Sequence, residues 1–478
     1  MSSESLALVW LRRDLRLDDN PALRHALDHH AAVVPVYVGD DQDDDWAPGG
    51  ASRAWLNKSL TALNAALEEH GSRLIVRRGP AEQALDALLD ETGASAIYWN
   101  RLYDPYSRDR DERLKKRCRE RGLIVESFNG HLLIEPWQVA TGSGNPYKVF
   151  TPFWKNIVQR LPLREPCAQP RELRPPASWP TSHGIEALAL EPSIRWDRGF
   201  WEAFEPGEAG AVAQLRRFTR GALTGYAEMR DFPADDGVSR LSAHLHFGEI
   251  SALTVWQAVA AVQNVPRVDV DGYLRELGWR EFAHHVLYYF AHTPTEPLVE
   301  KYRNFPWRNN HEAMLQAWQR GETGIPLVDA GMRQLWQTGW MHNRVRMVVA
   351  SFLVKNIRAP WLAGARWFWD TLVDADLASN TMGWQWAAGC GADAAPYFRV
   401  FNPVLQSQKF DKTGDYIRRY VPELAALPDK ALHEPWLQTS SDFVPGTSYP
   451  MPIVDLKTSR QQALDALAAL DPSKASKN

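Results

Sequence analysis

The stretch "LALVWLR" at residues 6–12 is the first of five short apolar runs, and their spacing decides the fold of the N-terminal part of the chain. The later runs are "AVVPVYV" (32–38), "RLIVRR" (73–78), "AIYWN" (96–100) and "LIVESFN" (123–129). Between them lie amphipathic stretches such as 52–70, in which apolar residues recur at helical spacing. Strands that alternate with helices predict a five-stranded parallel sheet with helices on both faces.

The chain changes character after a proline-rich stretch at 161–195, which indicates a long connection between domains. Beyond it, helical periodicity covers 209–230, 250–263, 270–291, 311–320, 327–358 and 361–375. We therefore predict a Rossmann-like α/β domain at 1–132, a connector at 133–205, an all-α domain at 206–470 and a short tail at 471–478. No G-x-G-x-x-G follows any predicted strand, so the sheet lacks the dinucleotide fingerprint.

The composition is typical of a soluble globular protein. The 478 residues carry a net charge of −4, with 45% hydrophobic and 23% charged residues. Three cysteines follow no metal-binding spacing, and no window approaches 18 apolar residues. We expect a cytoplasmic protein with no metal and no membrane partner. The 21 tryptophans are unusual and indicate either stacking and redox roles or a tryptophan-rich core.

Two stretches of the helical half carry polar residues that a core does not need, "GYAEMRDFPADDGVSRLSAHLHFGEIS" (225–251) and "YLRELGWREF" (273–282). The stretch 225–251 has the hydrogen-bond donors Ser239, Arg240 and Ser242. The stretch 273–282 has Glu276, Trp279 and Arg280 on one helical face. The first set suits a phosphate at a helix N-terminus, or ordinary capping. The second set would bind the edge and face of a base, or form an exposed ion pair beside a half-buried ring.

Two further stretches are "GWMHNRVRMVVASFLVKNIR" (339–358) and "DLASNTMGWQW" (376–386). From 331 to 366 the chain has six cations and no carboxylate: Arg333, Arg344, Arg346, Lys355, Arg358 and Arg366. With "KYRNFPWRNN" (301–310), this indicates a basic, aromatic patch for phosphates and unstacked bases, or a solvated helix face. Asp374, Asp376 and Asn380 would hydrogen-bond a heteroaromatic cofactor or hold an arginine.

These four stretches, with "VWLRRDLRLDDNPAL" (9–23), "PYKVFTPFWK" (146–155) and "AAPYFRVFNP" (394–403), resemble the DNA photolyase/cryptochrome family in order and spacing over nearly the whole chain. The similarity is greatest to bacterial cyclobutane pyrimidine dimer (class I) photolyases. The resemblance implies an α/β N-terminal domain, a long connector and an all-α C-terminal FAD-binding domain. The missing glycine fingerprint agrees with this, because the family does not bind flavin on its parallel sheet.

The resemblance implies that FAD folds into a U shape among the helices. The residues expected along its phosphates and ribityl chain are Tyr226, Ser239, Leu241 and Ser242, with Tyr273 a further contact. Those expected around its rings and sugar are Glu276, Arg280, Asn343, Arg346, Asp374, Asp376 and Asn380. Val238 stands where relatives often have a hydroxyl residue, so one phosphate donor is absent.

The same resemblance assigns roles around the flavin ring. Asn380 corresponds to the residue that faces flavin N5, and an amide there suits an enzyme that holds the fully reduced anion. Arg346 paired with Asp374 would stabilise that charge. Trp384 matches the indole next to the flavin in an electron relay that continues through Trp361 to Trp307, where the 301–312 segment differs by one residue from relatives.

The implied reaction is light-driven repair of cyclobutane pyrimidine dimers in DNA by a carbon–carbon lyase, a deoxyribodipyrimidine photo-lyase. An electron passes from excited reduced FAD to a dimer that has been flipped out of the duplex. Glu276 and Asn343 would bond the pyrimidine edges, and Trp279 and Trp386 would stack. The remaining substrate contacts would be Arg344 on a phosphate, Met347 on the dimer, and Arg399.

The resemblance also allows an antenna chromophore in the α/β domain, at the loop of Asp104 in "WNRLYDPYSRD" (99–109). Whether it is a folate, a deazaflavin or absent stays open. We expect a monomer that associates with the nucleoid when bound to DNA. One alternative is a cryptochrome-like blue-light receptor, against which the short tail counts. Another is repair of the (6-4) photoproduct, whose enzymes carry histidines at the positions of Asn343 and Met347.

Overall fold

Five parallel strands form the sheet of the N-terminal half in this computed structural model, which describes residues 5–40, 45–397, 399–438 and 443–470. The strands are β1 (Leu6–Leu11), β2 (Ala32–Gly39), β3 (Ile75–Arg78), β4 (Ala96–Asn100) and β5 (Ile124–Phe128). Their order is β3-β2-β1-β4-β5, and every pairing is parallel. The predicted α/β domain with a five-stranded, Rossmann-like sheet is confirmed.

Helices cover both faces of this sheet because its strands are apolar on both sides. In β1, Val9 and Leu11 pack into the core on one face, and Leu8 and Trp10 pack into the core on the other. The helices of this half are α1 (Pro21–His29), α2 (Gly50–Glu69), α3 (Ala81–Thr92) and α4 (Pro105–Glu120). The near-continuous apolar runs in the sequence therefore reflect burial on two sides.

The remainder of the chain is helical, as predicted. The helices before residue 300 are α5 (Phe150–Ile157), α6 (Phe200–Ala203), α7 (Glu208–Arg220), α8 (Tyr226–Met229), α9 (Ser242–Phe247), α10 (Ala252–Ala260) and α11 (Arg267–Tyr289). Those after it are α12 (Glu312–Arg320), α13 (Pro326–Thr338), α14 (Asn343–Ser351), α15 (Trp361–Thr371), α16 (Leu377–Ala388), α17 (Pro403–Phe410), α18 (Asp415–Tyr420), α19 (Asp429–Leu432) and α20 (Leu456–Ala468). A π-helical segment, Phe352–Ile357, extends α14. No described helix is both long and apolar enough to cross a bilayer.

Two predicted helical stretches are interrupted by glycine. The 209–230 stretch breaks after α7, and α8 begins beyond Gly225, whose φ is +84°. The 327–358 stretch breaks at Gly339, which ends α13 in the left-handed conformation with a φ of +66°. The second break matters for the site because it lets α14 start at Asn343 with a new direction.

A buried guanidinium ties the sheet to the helical half. Arg16, in the loop after β1, donates to the main-chain oxygen of Gly248 at 2.9 Å and to that of Gly130 at 2.7 Å. It also donates to the main-chain oxygens of Asp18 and Asp19. Gly248 has a φ of +64°, and a Cβ there would lie 2.0 Å from the main-chain oxygen of Arg13. Glycine at 248 therefore permits the close approach of α9 to the loop.

The acidic loop at 39–50 is packed against the helical half where it is described. Trp46 is buried against Trp369 with ring centroids 5.4 Å apart, and the Trp369 indole donates to the main-chain oxygen of Ala47 at 2.7 Å. Residues 41–44 lie outside the described chain, as does the predicted tail at 471–478.

Candidate functional site

Three packed helices carry most of the predicted site residues. α16 packs against α11 and α14. α11 carries Tyr273, Glu276, Trp279 and Arg280; α14 carries Asn343, Arg344, Arg346 and Met347; α16 carries Asn380, Trp384 and Trp386. The fold thus brings together segments that are separated by about a hundred residues of sequence.

The predicted pair of Arg346 and Asp374 is present. Arg346 Nη2 donates to Asp374 Oδ2 at 2.8 Å, and its Nε donates to the main-chain oxygen of Met341 at 2.7 Å. The Asp374 carboxylate is buried, and its Oδ1 has no hydrogen-bond partner among the described residues. A buried carboxylate oxygen without a donor is costly. This oxygen is therefore available to an N–H or O–H group of a ligand.

Asp376 lies among histidines that the sequence did not single out. Its Oδ1 accepts from the Ser379 N–H at 2.8 Å and caps α16. Its Oδ2 lies 3.5 Å from His284 Nε2 and 3.8 Å from His246 Nδ1. Burial opposes ionisation of this carboxyl, but His284 and His246 outweigh it and hold the pKa well below its usual range. Asp376 is therefore an anion with imidazole neighbours.

A second polar group comprises Tyr226 on α8, Ser239 in the loop before α9, Ser242 at the start of α9, and Tyr273 on α11. Tyr273 Oη donates to Ser239 Oγ at 3.1 Å, and the rings of Tyr226 and Tyr273 meet edge to face at 5.3 Å. Ser242 Oγ accepts from the Trp340 indole at 3.3 Å, and Leu241 beside it is buried. The residues predicted to line the phosphates and ribityl chain of FAD are therefore neighbours. The helix that Ser242 begins, α9, is short and has six residues.

Glu276 and Arg280, predicted on one helical face, have different partners. Glu276 Oε1 accepts from Arg230 Nη1 at 2.6 Å, and this guanidinium lies 5.3 Å above the Tyr226 ring. Arg280 turns the other way and donates to the main-chain oxygen of His131 at 3.0 Å. Arg230 was not predicted, because its importance comes from the turn that follows α8.

Trp279 has one face covered in this structure. Its ring stacks on Phe150 of α5, with centroids 3.7 Å apart and planes 10° apart. Trp386 and Met347 are half-buried, and Asn343 is exposed. Arg344 donates to Asp231 Oδ1 at 2.7 Å, and Arg399 is exposed next to residue 398, which lies outside the described chain.

The predicted basic patch at 331–366 is not a free basic surface, because most of its cations have partners within the protein; its contact with nucleic acid stays a prediction. Carboxylates from distant segments pair with four of its cations: Arg333 with Glu423, Arg344 with Asp231, Arg346 with Asp374, and Arg366 with Asp45. Lys355 is buried and donates to the main-chain oxygen of Arg399 at 2.9 Å. The sequence window lacks acids, but the fold supplies them.

The indoles of the predicted relay share one hydrophobic cluster. Trp384 and Trp361 are buried in it, and Trp307 packs against it. Trp384 meets Phe368 edge to face at 4.9 Å and the fully buried Trp318 at 6.1 Å. The contact of Trp318 with Trp384 was not predicted, because a single tryptophan on an amphipathic helix is typical of an ordinary core residue. Asn380, on the same helix as Trp384, donates to the main-chain oxygen of Ala365 at 3.0 Å.

The polar atoms left over in this region fit a flavin nucleotide. His342 Nδ1 accepts from the Arg344 N–H at 3.2 Å, and burial lowers the pKa of this imidazole to about 4. The ring is therefore neutral with its proton on Nε2, and that N–H has no partner in the described part of the chain. The His342 Nε2–H is a donor, Asp374 Oδ1 is an acceptor, and the Asn380 amide can do both. Such a set suits the mixed edge of an isoalloxazine ring.

A separate cavity of about 1060 Å³ opens at α4. Asp104 caps this helix by accepting from the Ser107 N–H at 2.9 Å, and Asp104 Oδ2 lies 4.0 Å from Arg13. The aromatic lining of the cavity comprises Tyr103, Trp137 and Tyr288, and its cations include Arg101, Arg108, Lys115 and Arg119. Arg108 lies 4.9 Å above the Tyr288 ring.

Comparison with known proteins covers most of this architecture. Residues 7–173 match the family model for DNA photolyase, and residues 273–469 match the model for the FAD binding domain of DNA photolyase. A deoxyribodipyrimidine photo-lyase from Agrobacterium fabrum is 46% identical over 97% of this chain and 98% of its own. Cryptochrome-2 from Arabidopsis thaliana is 38% identical over 98% of this chain and 79% of its own. The crystal structure of a bacterial class III photolyase from Agrobacterium tumefaciens superimposes with a TM-score of 0.96, at 45% identity over 99% of each chain.

Proposed function

Because the chain belongs to the DNA photolyase/cryptochrome family, we propose that it is a deoxyribodipyrimidine photo-lyase that uses FAD and blue light to repair cyclobutane pyrimidine dimers in DNA. The observation that carries the proposal is a pair of buried polar atoms without partners in the described part of the chain, Asp374 Oδ1 and His342 Nε2, with Arg346 bonded to the same Asp374 carboxylate. Both residues lie within 273–469, the part of the chain that matches the FAD binding domain of DNA photolyase.

The protein's part in the reaction is to hold charge and position. Bound in its fully reduced, anionic form, FAD would supply one electron to the dimer under light and recover it after both carbon–carbon bonds between the two pyrimidines have broken. Arg346 adds a fixed cation, and Asp374 keeps that cation in place from the other side. Asn380 can donate or accept at the ring edge, because an amide carries both functions. Trp384 would deliver electrons to flavin that has become oxidised.

Lesion binding is assigned to the rim of the same region. Glu276, held by Arg230, would accept from the N–H groups of the dimer, and Asn343 would bond the opposite edges. Trp386 and the uncovered face of Trp279 would stack on the bases, each for about 1–3 kcal/mol. Arg344 would exchange its partner Asp231 for a phosphate, Met347 would pack on the dimer and Arg399 would contact the strand.

Two narrower assignments accompany this proposal. The comparisons do not support the expected similarity to class I photolyases, since the superimposed structure from Agrobacterium tumefaciens is described as a class III photolyase. The substrate, rather than the class, is what we propose. The receptor alternative draws on the match to Cryptochrome-2, and the (6-4) alternative has little support because Asn343 and Met347 are not histidines.

We also propose that the cavity at α4 holds an antenna chromophore. Its three aromatic side chains would stack on a flat heterocycle, and its cations would bind an anionic tail. A folate and a deazaflavin both fit this description. Extraction and absorption spectroscopy of the purified protein would distinguish them, and Trp137→Ala should lower the chromophore content while FAD content stays unchanged.

One experiment tests the main proposal. The purified protein, with FAD confirmed as bound and reduced, is illuminated with DNA that carries a thymine dimer, and restored thymines are counted. Restoration in light and none in darkness is expected. Absence of restoration with flavin bound and reduced would refute dimer repair, and restoration of a (6-4) lesion instead would favour the other repair reaction. Size-exclusion chromatography tests the predicted monomer, and imaging of a fluorescent fusion tests the predicted cytoplasmic and nucleoid location.

A further inference from the structure

Three buried imidazoles surround one carboxylate at the base of the candidate flavin site. His131 precedes α5, His246 is on α9 and His284 is on α11, and all three approach Asp376 at the start of α16. Each histidine is at most 6% exposed. The protonation of these three histidines sets the net charge around Asp376.

The two polar contacts of the His284 ring indicate which of its nitrogens carry protons. Its Nδ1 lies 3.0 Å from the main-chain oxygen of Arg280, which can only accept, so Nδ1 carries a proton. Its Nε2 lies 3.5 Å from Asp376 Oδ2. A neutral ring with its proton on Nδ1 would direct a lone pair at this carboxylate. Only the doubly protonated ring is attractive to both neighbours, and this geometry favours an imidazolium at His284.

The other two histidines are neutral. His131 Nε2 lies 2.8 Å from Arg280 Nη2 and must accept from it, and burial together with the Arg280 charge holds the pKa of His131 well below its usual range. Burial also lowers the pKa of His246, against the opposing effect of Asp376. The remaining charges that face the cluster are Arg13, which disfavours a proton on either ring, and Asp374, which favours one on His246. The proton therefore belongs to His284.

A metal ion does not suit this cluster. One ligand atom from each of His131, His284 and Asp376 lies within 4.8 Å of the others, as in a metal site. However, the Arg280 guanidinium already bonds the His131 nitrogen and would repel a second cation at that distance. The arrangement is that of a hydrogen-bonded ion pair.

We propose that His284 is a positioning residue, an imidazolium held by Asp376, whose charge stabilises the reduced anionic flavin; the second half of this statement rests on the proposed function. The ion pairs at the base are Arg346–Asp374, Arg280–Glu281 and His284–Asp376, and Arg13 is a further cation that faces the cluster. With His284 charged, the three pairs are neutral before flavin is added. Without its proton they carry one negative charge, which would repel the reduced flavin.

The first test is nuclear magnetic resonance of the flavin-loaded protein labelled with ¹⁵N-histidine. At pH 7 we expect one buried histidine to show the shifts of a doubly protonated ring, and this signal to disappear in His284→Gln. His285→Gln is the matched control. His285 is equally buried on the same helix, but its Nε2 accepts from the Tyr147 N–H at 3.0 Å and burial lowers its pKa to about 4, so it is neutral. A neutral His284 in the wild type would overturn the proposal.

The second test is the ratio of reduced to oxidised flavin at a fixed potential, set by a thiol–disulfide buffer. Loss of one positive charge near the ring should lower the ratio about tenfold in His284→Gln. His284→Lys should restore it, whereas His285→Gln should match the wild type. A ratio unchanged in His284→Gln would overturn the electrostatic role. Stoichiometric binding of Zn²⁺ to the wild type that His284→Gln abolishes would overturn the ion-pair assignment.

These outcomes separate the inference from the proposed function. The NMR signal and the flavin ratio do not depend on dimer repair. An imidazolium signal and a tenfold shift in a protein that repairs nothing would refute the repair function alone. Repair with a neutral His284 would refute this inference alone.

Discussion

Replacement of Gly364 by alanine tests how tightly Trp384 is held next to the flavin region. A Cβ at 364 would lie 2.1 Å and 2.4 Å from two carbons of the Trp384 ring and 2.6 Å from Leu353 Cδ2. Neither side chain can withdraw, because both are buried and the indole already abuts Phe368 at 4.9 Å. Something in the core of α15 and α16 must therefore move.

The magnitude follows from two opposing effects. Alanine in place of glycine inside a helix stabilises by about 1 kcal/mol. Overpacking a dense core costs about 1–3 kcal/mol, and contact with two rigid neighbours puts Gly364→Ala at the upper end. We expect the free energy of unfolding to fall by about 1–2 kcal/mol. Displacement of the indole should also slow light-driven reduction of oxidised flavin.

Gly383→Ala is the matched control, because residue 383 is the immediate neighbour of Trp384 and a Cβ there meets nothing within 4 Å. It should gain about 0.5–1 kcal/mol from helix propensity. Urea denaturation measures both variants, and absorbance under blue light measures flavin reduction. If Gly364→Ala is as stable as Gly383→Ala and both reduce flavin at the wild-type rate, the described packing of Trp384 is wrong.

Three further predictions concern charge. In Asn380→Asp the reduced flavin should reoxidise faster in air, since a carboxylate repels the anion; an unchanged rate would contradict the assignment of residue 380. Glu276→Ala should weaken binding to dimer-containing DNA in a gel-shift assay and leave flavin content normal, whereas loss of flavin would mean that the Glu276–Arg230 pair serves the cofactor. Burial raises the pKa of Asp329 from 3.8 to about 6, so the folded state binds this proton more tightly than the unfolded chain. Its contribution to the unfolding free energy therefore falls by about 2 kcal/mol between pH 4 and 6, and that slope should disappear in Asp329→Asn.

The sheet was predictable from sequence because its signal is local. Each strand is a short apolar run, and burial on both faces keeps the run continuous in β1 and β2. The breaks in the helical half were less accessible. In the sequence, Gly339 is a single residue of low helix propensity in a long periodic stretch. In the structure its left-handed conformation separates α13 from α14, and Asn343 begins a new helix.

The site was only partly predictable, because its partners are distant in sequence. The pair Arg346–Asp374 follows from the resemblance to the family. In contrast, Arg230, His246 and His284 acquire roles only through the fold, which brings them to Glu276 and Asp376. A histidine at a buried helical position is the one local signal that would have flagged the latter two.

The carboxylate partners of the basic patch were missed for the same reason. A window of cations without acids indicates a free positive surface only if the fold does not bring acids to it. Asp231, Glu423 and Asp45 do so here, from segments up to about three hundred residues away. In the proposed function, DNA would compete with these carboxylate partners for the cations.

The guanidinium of Arg16 has a consequence for building chimaeras. All of its acceptors are main-chain oxygens, at Asp18, Asp19, Gly130 and Gly248. The contacts of Arg16 therefore depend on the backbone of the helical half, whereas other contacts between the two halves, such as Trp46 with Trp369, depend on side chains. A helical half transplanted from a relative should dock onto this sheet if it preserves the glycine turn at 248 together with the side chains that contact the sheet half, Glu208, Glu249 and Trp369.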